Sequence, residues 1–358
     1  MQAFRPTIER MRAYTPGEQP QDRGYIKLNT NENPYPPSPH VIEAVKAEAG
    51  AQMRLYPDPT AQRLRAVAAT LYGLEVNQIL AGNGSDELLS LLMRACVGPG
   101  DRVAYPVPTY SLYDTLVGIQ DGVAVRVPFE DDFRLPAAIA GADARITVIC
   151  NPNSPSGTLT PISRLDSLAS QVRGLLVIDE AYVDFADDTA LPLLGRHENV
   201  VILRTLSKSY SLAGMRIGLA LAAPAVINEL TKVKDSYNLG RTSIVAGVAA
   251  LEDQRWMLGH VARIRATRGR LVTALRGLGY EVPDSQANFV LARRGGIDQQ
   301  PVYVALKQRG ILVRYFRTDG LSDAFRITVG TDEEVATLVQ ALREIGAREE
   351  RQRMRDEG

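Results

Sequence analysis

Six short apolar runs between residues 100 and 225 constrain the fold of this chain most strongly. Several of them are continuous rather than alternating, which is typical of strands that are buried on both faces. Polar stretches of helix length separate the runs, whose sequences are RVAY, VAVRVP, RITVIC, GLLVID, NVVILRT and RIGLALA. The pattern predicts an α/β fold in which a mostly parallel sheet forms the centre of a doubly wound domain.

Two helices are predicted before these strands, and a second, smaller sheet after them. The first helix follows an expected N-cap at Thr60 and stops at Gly73, and the second has an expected N-cap at Ser85. After about residue 240 the sequence is typical of a long helix. Three later apolar runs predict the strands of the smaller sheet, and their sequences are ANFVLA, ILVRYF and FRITVG.

The first 40 residues are rich in proline, asparagine and glycine, which indicates an extended arm with turns. Arms of this kind often cross to a neighbouring subunit. We therefore expect an N-terminal arm over residues 1–30, a large domain over residues 31–245, and a small C-terminal α+β domain over residues 246–358.

Composition favours a small molecule as the partner, not nucleic acid or a membrane surface. Lysine plus arginine and aspartate plus glutamate each number 41 among 358 residues, so the formal net charge is zero. Cys96 and Cys150 lie in apolar segments, and the three scattered histidines provide no metal-ligand spacing. The start of the chain lacks the apolar core of a signal peptide. We expect a cytoplasmic protein without a metal ion.

Candidate functional residues follow the apolar runs, because ligands of open parallel sheets bind beyond the carboxyl ends of the strands. Asp179 ends one run and Lys208 follows another. The two side chains could simply form a buried ion pair. Alternatively, a lysine shielded from water loses its proton more easily and can form a Schiff base with an aldehyde cofactor. Asp179 would then keep the ring nitrogen of pyridoxal 5'-phosphate protonated.

The segment AGNGSDELLSLL offers a site for the phosphate of such a cofactor. Gly82 and Gly84 allow close approach of the backbone, Ser85 begins the helix, and Arg216 and Ser207 add a positive charge and a hydroxyl donor. Taken alone, this segment is better explained as an ordinary glycine turn before a helix than as a phosphate site.

Three tyrosines follow the same pattern. Tyr110 lies after a strand and could stack on a pyridine ring, and Tyr182 lies three residues after Asp179, within reach of the ring's phenolic oxygen. Tyr56 precedes a Pro-Asp-Pro turn and could serve a neighbouring site. Taken singly, Tyr110 or Tyr182 could instead be a core tyrosine with a satisfied hydroxyl.

Seven motifs in register resemble the fold-type-I pyridoxal-phosphate aminotransferases, and most closely the histidinol-phosphate aminotransferases. The similarity runs from about Arg5 to about Ile345. The motifs are LNTNENP, LYPD, GNGSDE, NPNSPSG, VIDEAY, TLSKSYSLAGMR and FRITVG. The resemblance implies a large domain with a mostly parallel sheet, a smaller C-terminal domain, and a homodimer with active sites at the interface.

The resemblance also implies residue roles around pyridoxal phosphate. Lys208 carries the cofactor, Asp179 contacts the ring nitrogen, and Tyr182 contacts the ring oxygen, so these three are the expected catalytic residues. The remaining cofactor contacts that it implies are Gly84, Ser85, Asp86, Tyr110, Asn153, Ser154, Ser207, Arg216 and, from the partner subunit, Tyr56.

One position departs from the family pattern. Relatives typically read Asn-Asn-Pro-Thr-Gly where this chain has Asn153, Ser154, Pro155, Ser156 and Gly157, so Ser154 replaces the asparagine that bonds the phenolic oxygen. Two alternatives stay open at this point: an asparagine of the same loop, at position 151 or 153, substitutes for it, or Ser154 bonds more weakly.

The substrate residues that the resemblance implies are Arg326 for a carboxylate, Arg314 and Tyr14 for a phosphate, and Asn33. The expected reaction is transamination of L-histidinol phosphate with 2-oxoglutarate, which gives imidazole acetol phosphate and glutamate. The alternatives are an aromatic amino acid aminotransferase, a threonine-phosphate decarboxylase and a non-enzymatic binding module, which the presence of both Lys208 and Asp179 disfavours.

Overall fold

The structure, a computed structural model, describes residues 3–11, 17–20, 24–317 and 320–356, and it contains two sheets with flanking helices. The strands are β1 (Ile26–Leu28), β2 (Ile79–Gly82), β3 (Arg102–Val107), β4 (Val123–Pro128), β5 (Ile146–Cys150), β6 (Leu175–Asp179), β7 (Val200–Thr205), β8 (Gly218–Ala222), β9 (Phe289–Arg293), β10 (Ile311–Tyr315) and β11 (Ala324–Thr328). The helices are α1 (Pro6–Arg10), α2 (Pro39–Glu48), α3 (Gln62–Tyr72), α4 (Gly84–Cys96), α5 (Leu112–Ile119), α6 (Ile162–Gln171), α7 (Pro224–Val233), α8 (Arg241–Glu252), α9 (Gln254–Gly277), α10 (Gln300–Gln308) and α11 (Asp332–Asp356).

The larger sheet confirms the predicted α/β fold. Its seven strands have the order β2-β8-β7-β6-β5-β3-β4, and all neighbours from β7 to β4 are parallel. Successive residues of the central strands enter two different hydrophobic clusters, one on each face: Ile178 belongs to one cluster and Val177 to the other. Continuous apolar runs were required because both faces are covered.

Strand β8 is the exception, since it runs antiparallel to both β7 and β2. An antiparallel neighbour needs no crossover helix, so a short connection over residues 206–217 joins β7 directly to β8. This connection stays at the carboxyl edge of the sheet. It therefore holds Lys208 and Arg216 at the same edge as the end of β6.

The smaller sheet has the order β1-β10-β11-β9 and includes a strand from the segment that was predicted to be an extended arm. Strand β1 pairs in parallel with β10, while β10–β11 and β11–β9 are antiparallel. Part of the N-terminal segment is thus tied to the C-terminal half of the same chain. In the described part of the chain, no helix combines the length and the apolar character needed to cross a membrane.

Three local predictions were wrong in detail. The long helix after residue 240 is interrupted at Asp253, whose side chain accepts a hydrogen bond from the amide of Trp256 and so caps α9. The amide of Gln62 at the start of α3 is bound by Asp58 and not by Thr60. Helix α4 begins one residue before Ser85, with no side-chain cap.

Candidate active site

A cavity of about 250 Å³ lies at the carboxyl edge of the larger sheet and extends to β10 and β11 of the smaller one. It brings together predicted residues that are up to 241 positions apart in sequence, counted from Ser85 to Arg326. The predicted residues that line it are Ser85, Asp86, Tyr110, Ser154, Asp179, Tyr182, Ser207, Lys208, Arg216, Arg314 and Arg326.

Lys208 enters the cavity from the connection between β7 and β8. Its Nζ lies 3.3 Å from the carbonyl oxygen of Thr30 and 5.7 Å from the centre of the Tyr182 ring. Burial, with the nearby Arg326 cation as a further cause, lowers the pKa of Lys208 to about 8. The amine therefore loses its proton at a lower pH than an exposed lysine does, which makes the uncharged, nucleophilic form easier to reach.

Asp179, at the end of β6, is buried and has one oxygen without a partner. The hydroxyl of Tyr113 donates a hydrogen bond of 2.7 Å to Oδ2, whereas Oδ1 accepts none from the described residues. Burial raises the pKa of Asp179 to about 6, so the carboxylate is ionised at pH 7. A buried acceptor without a donor is costly in a folded protein, and it is best explained by a donor on a ligand.

Asp179 and Lys208 do not form the ion pair that the sequence left open, as far as the described residues show. A buried ion pair does exist beside them, between the residue after Asp179 and a residue of β7: Arg204 Nη2 lies 2.8 Å from Glu180 Oε2. Glu180 also accepts hydrogen bonds from the amide of Ala190 and the hydroxyl of Thr189. The carboxylate of Glu180 thus has its partners within the protein, whereas the neighbouring Asp179 lines the cavity.

The start of α4 and the 206–217 connection form a cradle that suits an anion. Gly84 has φ +78°, and a Cβ atom there would lie 2.6 Å from Nη2 of Arg216. Arg216 contacts Asp86 Oδ2 at 3.1 Å and Ser207 Oγ at 3.4 Å. The amide of Ser85 lies at the positive end of the helix dipole, so amides, a hydroxyl and a guanidinium meet at one point.

Two arginines from the smaller sheet face the cavity from the opposite side. Arg314 on β10 is directly opposite Arg326 on β11 in the strand pairing. The Phe316 ring lies 5.8 Å from Arg314 and 5.9 Å from Arg326, measured from guanidinium carbon to ring centre. Arg326 donates to Ser154 Oγ at 2.9 Å and to the carbonyl of Asn29 at 3.1 Å. Two neighbouring cations can bind two separate anionic groups of substrates.

The loop after β5 holds both asparagines that could substitute for the replaced one. The Asn151 amide group bonds the backbone of Thr160 in both directions, and Asn153 bonds Thr109, Ser156 and the carbonyl of residue 108. Both asparagines hold the loop and neither lines the cavity, which Ser154 does. Asn153 thus contacts its own loop where a cofactor contact was expected.

Three more predicted residues, Gly84, Asn33 and Tyr56, are not part of the cavity lining, although Gly84 belongs to the anion cradle. Asn33 donates from Nδ2 to the carbonyl oxygens of Lys208 and Ser209, so it positions the lysine segment where a substrate contact was expected. Tyr56 is 76% exposed and stacks on Tyr237 at 4.4 Å between ring centres. Tyr14 lies outside the described residues.

Sequence reasoning missed Asn31, Tyr113 and Phe316. Asn31 donates from Nδ2 to the Tyr182 hydroxyl at 3.0 Å, and both side chains line the cavity. The signals were present: Asn31 lies inside the motif LNTNENP, and Tyr113 follows Tyr110 by three positions, one helical turn, at the start of α5.

The sequence profile described as aminotransferase class I and II matches residues 23–342. The chain belongs to this family. It is 47% identical over 344 residues to histidinol-phosphate aminotransferase 1 of Nostoc sp., covering 96% of this chain and 98% of that protein. It is also 47% identical to the histidinol-phosphate aminotransferase of Geobacter sulfurreducens, covering 97% of this chain and 100% of the relative.

Solved structures agree with this assignment. The histidinol-phosphate aminotransferase of Sinorhizobium meliloti, solved in complex with pyridoxal-5'-phosphate, is 28% identical, with a TM-score of 0.88 and coverage of 97% of this chain and 98% of that one. The predictions of a fold-type-I fold and an aminotransferase are therefore confirmed.

The residues of the cavity fit pyridoxal phosphate. The unpartnered Oδ1 of Asp179 matches a protonated ring nitrogen, and Lys208 supplies an amine for the aldehyde. A side chain at Gly84 would displace the guanidinium of Arg216, and with Arg216 in place the cradle has the donors that a phosphate requires.

Proposed function

We propose that this aminotransferase uses pyridoxal phosphate to transfer the amino group of L-histidinol phosphate to 2-oxoglutarate, giving imidazole acetol phosphate and glutamate. The observation that carries the proposal is the cavity in which an amine of lowered pKa, an unpartnered carboxylate oxygen and two arginines converge. The names of the relatives, which are 43% to 47% identical, support the choice of substrate.

When bound, pyridoxal phosphate supplies an electron sink for negative charge on the substrate's alpha carbon. Asp179 holds a proton at the ring nitrogen, because its ionised carboxylate stabilises the positive charge there. The Nζ of Lys208 would be the base that removes the proton from the alpha carbon. Tyr182 and Ser154 are the cavity residues that we assign to the ring oxygen.

The two arginines divide the recognition of substrates in this proposal. Arg326 binds the carboxylate of 2-oxoglutarate or glutamate in a bidentate manner, for which a planar guanidinium is suited. Arg314 binds the phosphate of histidinol phosphate, assisted by Tyr14 of a second subunit. Phe316, whose ring lies near both guanidinium groups, forms an apolar wall beside the two anion-binding positions.

A homodimer completes the site in this proposal. Tyr56 and Tyr237 form an exposed stacked pair, and Met53 and Leu55 beside them are 63% and 47% exposed. Exposed apolar clusters of this kind are typical of interfaces. A second copy of the chain would cover them, and Tyr56 would reach the phosphate cradle of its partner.

We further propose that the enzyme is cytoplasmic and that the predicted arm, large domain and small domain are its units. The predicted boundary between the large and the small domain, after residue 245, falls inside α8. Strand β1 pairs with the smaller sheet, although the prediction assigns residues 1–30 to the arm. Histidinol phosphate would bind between the two sheets, where residues from both line one cavity.

The test is a single half-reaction followed by absorption. Purified protein loaded with pyridoxal phosphate should show the visible band of the lysine-bound cofactor, which Lys208→Ala should lack. Addition of L-histidinol phosphate alone should convert this band to that of pyridoxamine phosphate. A loaded protein that leaves L-histidinol phosphate unchanged but converts phenylalanine is the aromatic aminotransferase, and one that releases carbon dioxide from threonine phosphate is the decarboxylase.

The variant Arg314→Gln separates these substrates further. Loss of a charge-assisted contact to phosphate should lower kcat/KM for histidinol phosphate by about 10- to 100-fold. The half-reaction with glutamate should change much less. Equal losses with both substrates would contradict the role of Arg314.

A further inference from the structure

Tyr113 is a completely buried tyrosine at the start of α5 that the reaction outlined above does not use. Its hydroxyl donates the 2.7 Å hydrogen bond to Asp179 Oδ2, and its ring packs edge-on against the ring of Tyr110, with 5.6 Å between centres. Tyr110 and Asp179 both line the cavity. One side chain therefore contacts the residue expected to stack on the cofactor ring and the residue expected to bind its nitrogen.

The hydrogen bond divides the two oxygens of Asp179 between different tasks. Oδ2 is held by the protein and Oδ1 accepts no hydrogen bond from the described residues. Without the Tyr113 hydroxyl, the carboxylate could rotate about its last bond, because terminal torsions of aspartate are broad. The bond thus fixes which oxygen faces the cavity.

The same bond matters for the charge of Asp179. Burial raises the pKa of Asp179, the negative charges of Asp86 and Glu180 act in the same direction, and the Tyr113 hydroxyl and the amide of residue 181 oppose them. Burial also raises the pKa of the neighbouring Cys150 and Tyr182, so that both are neutral at pH 7. The cationic side chains that share the cavity with Asp179 are Lys208, Arg216, Arg314 and Arg326.

The Tyr113 hydroxyl itself remains a hydrogen-bond donor at the pH values at which Asp179 ionises. Burial and the adjacent Asp179 raise its pKa well above the ordinary value, so the hydroxyl keeps its proton at acidic and neutral pH. A neutral donor bonded to a carboxylate favours the ionised form of that carboxylate.

We propose that Tyr113 is a positioning residue, whose hydroxyl holds Oδ2 of Asp179 so that the carboxylate keeps Oδ1 directed at the ring nitrogen of the cofactor. This inference rests on the proposed function, because it requires a ring nitrogen in the cavity. Tyr113 acts through Asp179 and not on the substrate.

The test compares binding of pyridoxamine phosphate with binding of its analogue in which a CH group replaces the ring nitrogen. Neither compound binds covalently to Lys208, so the ratio of the two dissociation constants reports the contact with Asp179. The wild-type dimer should prefer pyridoxamine phosphate. Tyr113→Phe should reduce the preference about tenfold or more, as expected for the loss of a hydrogen bond to a charged group.

The matched control is Tyr105→Phe. Tyr105 is equally buried, lies 5.7 Å from the Tyr113 ring, and donates its hydroxyl to Asp114 instead of Asp179. Its removal should leave the binding ratio within about twofold, although both variants lose a buried hydroxyl. Thermal unfolding of both variants checks that each is folded.

Two further variants, Asp179→Asn and the double variant that also carries Tyr113→Phe, separate the possible outcomes. Asp179→Asn should lose the preference, and adding Tyr113→Phe to it should change the ratio no further. If Asp179→Asn loses the preference while Tyr113→Phe keeps it, the proposal for Tyr113 is overturned and the proposed function stands. If wild type shows no preference and Asp179→Asn binds both compounds as wild type does, the role of Asp179 fails, and the proposal fails with it.

The pH dependence gives a second readout that a merely structural role would not change. The acidic limb of the kcat/KM profile should move to higher pH in Tyr113→Phe. The reason is that the hydrogen bond from Tyr113 lowers the pKa of Asp179, so its loss raises that pKa. In Tyr105→Phe this limb should stay where it is in the wild type. A profile in Tyr113→Phe that coincides with the wild type overturns the proposal.

Discussion

The cofactor-free protein should be stabilised at neutral pH by the change Lys208→Met, which removes the residue on which catalysis depends. The pKa of Lys208 falls from 10.5 to about 8 on folding because of burial. This corresponds to about 3 kcal/mol of destabilisation of the charged amine. Lys208 borders a cavity that is open to solvent, and screening there reduces our expectation to about 2 kcal/mol.

The sign and the pH range follow from proton linkage. At pH 7 the folded and unfolded chains both carry the proton, so the folded wild type bears the whole penalty. As pH rises through 8, the folded protein releases the proton while the unfolded chain keeps it to about 10.5, so wild type gains stability over this interval. Methionine has a similar length and no charge, so the variant lacks this gain.

One contact acts against the variant. The hydrogen bond from Nζ to the carbonyl of Thr30, at 3.3 Å, is lost, which costs about 0.5–1 kcal/mol. The variant should therefore be more stable than wild type by about 1 kcal/mol at pH 7 and slightly less stable at pH 10.5. The change of about 2 kcal/mol between the two values is the quantity that tests the reasoning.

The measurement is urea-induced unfolding of both cofactor-free proteins at several pH values between 7 and 10.5. Other groups titrate equally in both proteins and cancel in the difference. Lys46→Met is the control, since Lys46 is an exposed partner of Glu43 and its change should stay within about 0.5 kcal/mol at every pH. A stability difference for Lys208→Met that does not vary with pH would refute the argument.

Three further outcomes are expected. The stability of the cofactor-free Asp179→Asn variant, relative to wild type, should rise by about 2–3 kcal/mol between pH 4 and pH 7. The reason is that the pKa of Asp179 is raised to about 6 in the folded protein, so wild type loses folding stability over this interval as the unfolded chain ionises first. Unfolding experiments at both pH values measure the difference. Arg326→Gln should lower kcat/KM for glutamate by roughly 100-fold, and KM titrations with glutamate would expose a smaller effect. Glu180→Ala leaves Arg204 buried without its closest partner and should cost about 3–5 kcal/mol in unfolding experiments, against less than about 0.5 kcal/mol for the exposed Glu229→Ala.

The strands and the edge that carries the site were predictable, because both depend on patterns local to each strand. A continuous apolar run specifies a strand buried on both faces, and parallel strands place their carboxyl ends together, so Asp179 and Lys208 could be assigned to one edge before any contact was known. The start of α3 was less predictable, because Thr60 and Asp58 are both good capping residues and the choice depends on the backbone of the preceding turn.

Side-chain partners were the part that the sequence did not reveal. Asn33 was assigned to the substrate, yet its amide binds two backbone carbonyls of a segment 175 and 176 positions away. The antiparallel direction of β8 was also missed, because an apolar run does not encode strand direction. Both features depend on how distant segments meet, which periodicity within one segment does not record.

The adjacent residues Asp179 and Glu180 show why pairing, and not burial, identifies the functional carboxylate. Both are buried at the end of the same strand, and burial raises the pKa of each. Successive side chains of a strand point to opposite faces, so one reaches the cavity and the other the protein interior. Glu180 meets Arg204, an amide and a hydroxyl, which satisfies its charge. Asp179 meets the Tyr113 hydroxyl and the amide of residue 181 but no cation in an ion pair, and it keeps Oδ1 without a donor, a cost that a structural role would not require and that a bound ring nitrogen removes.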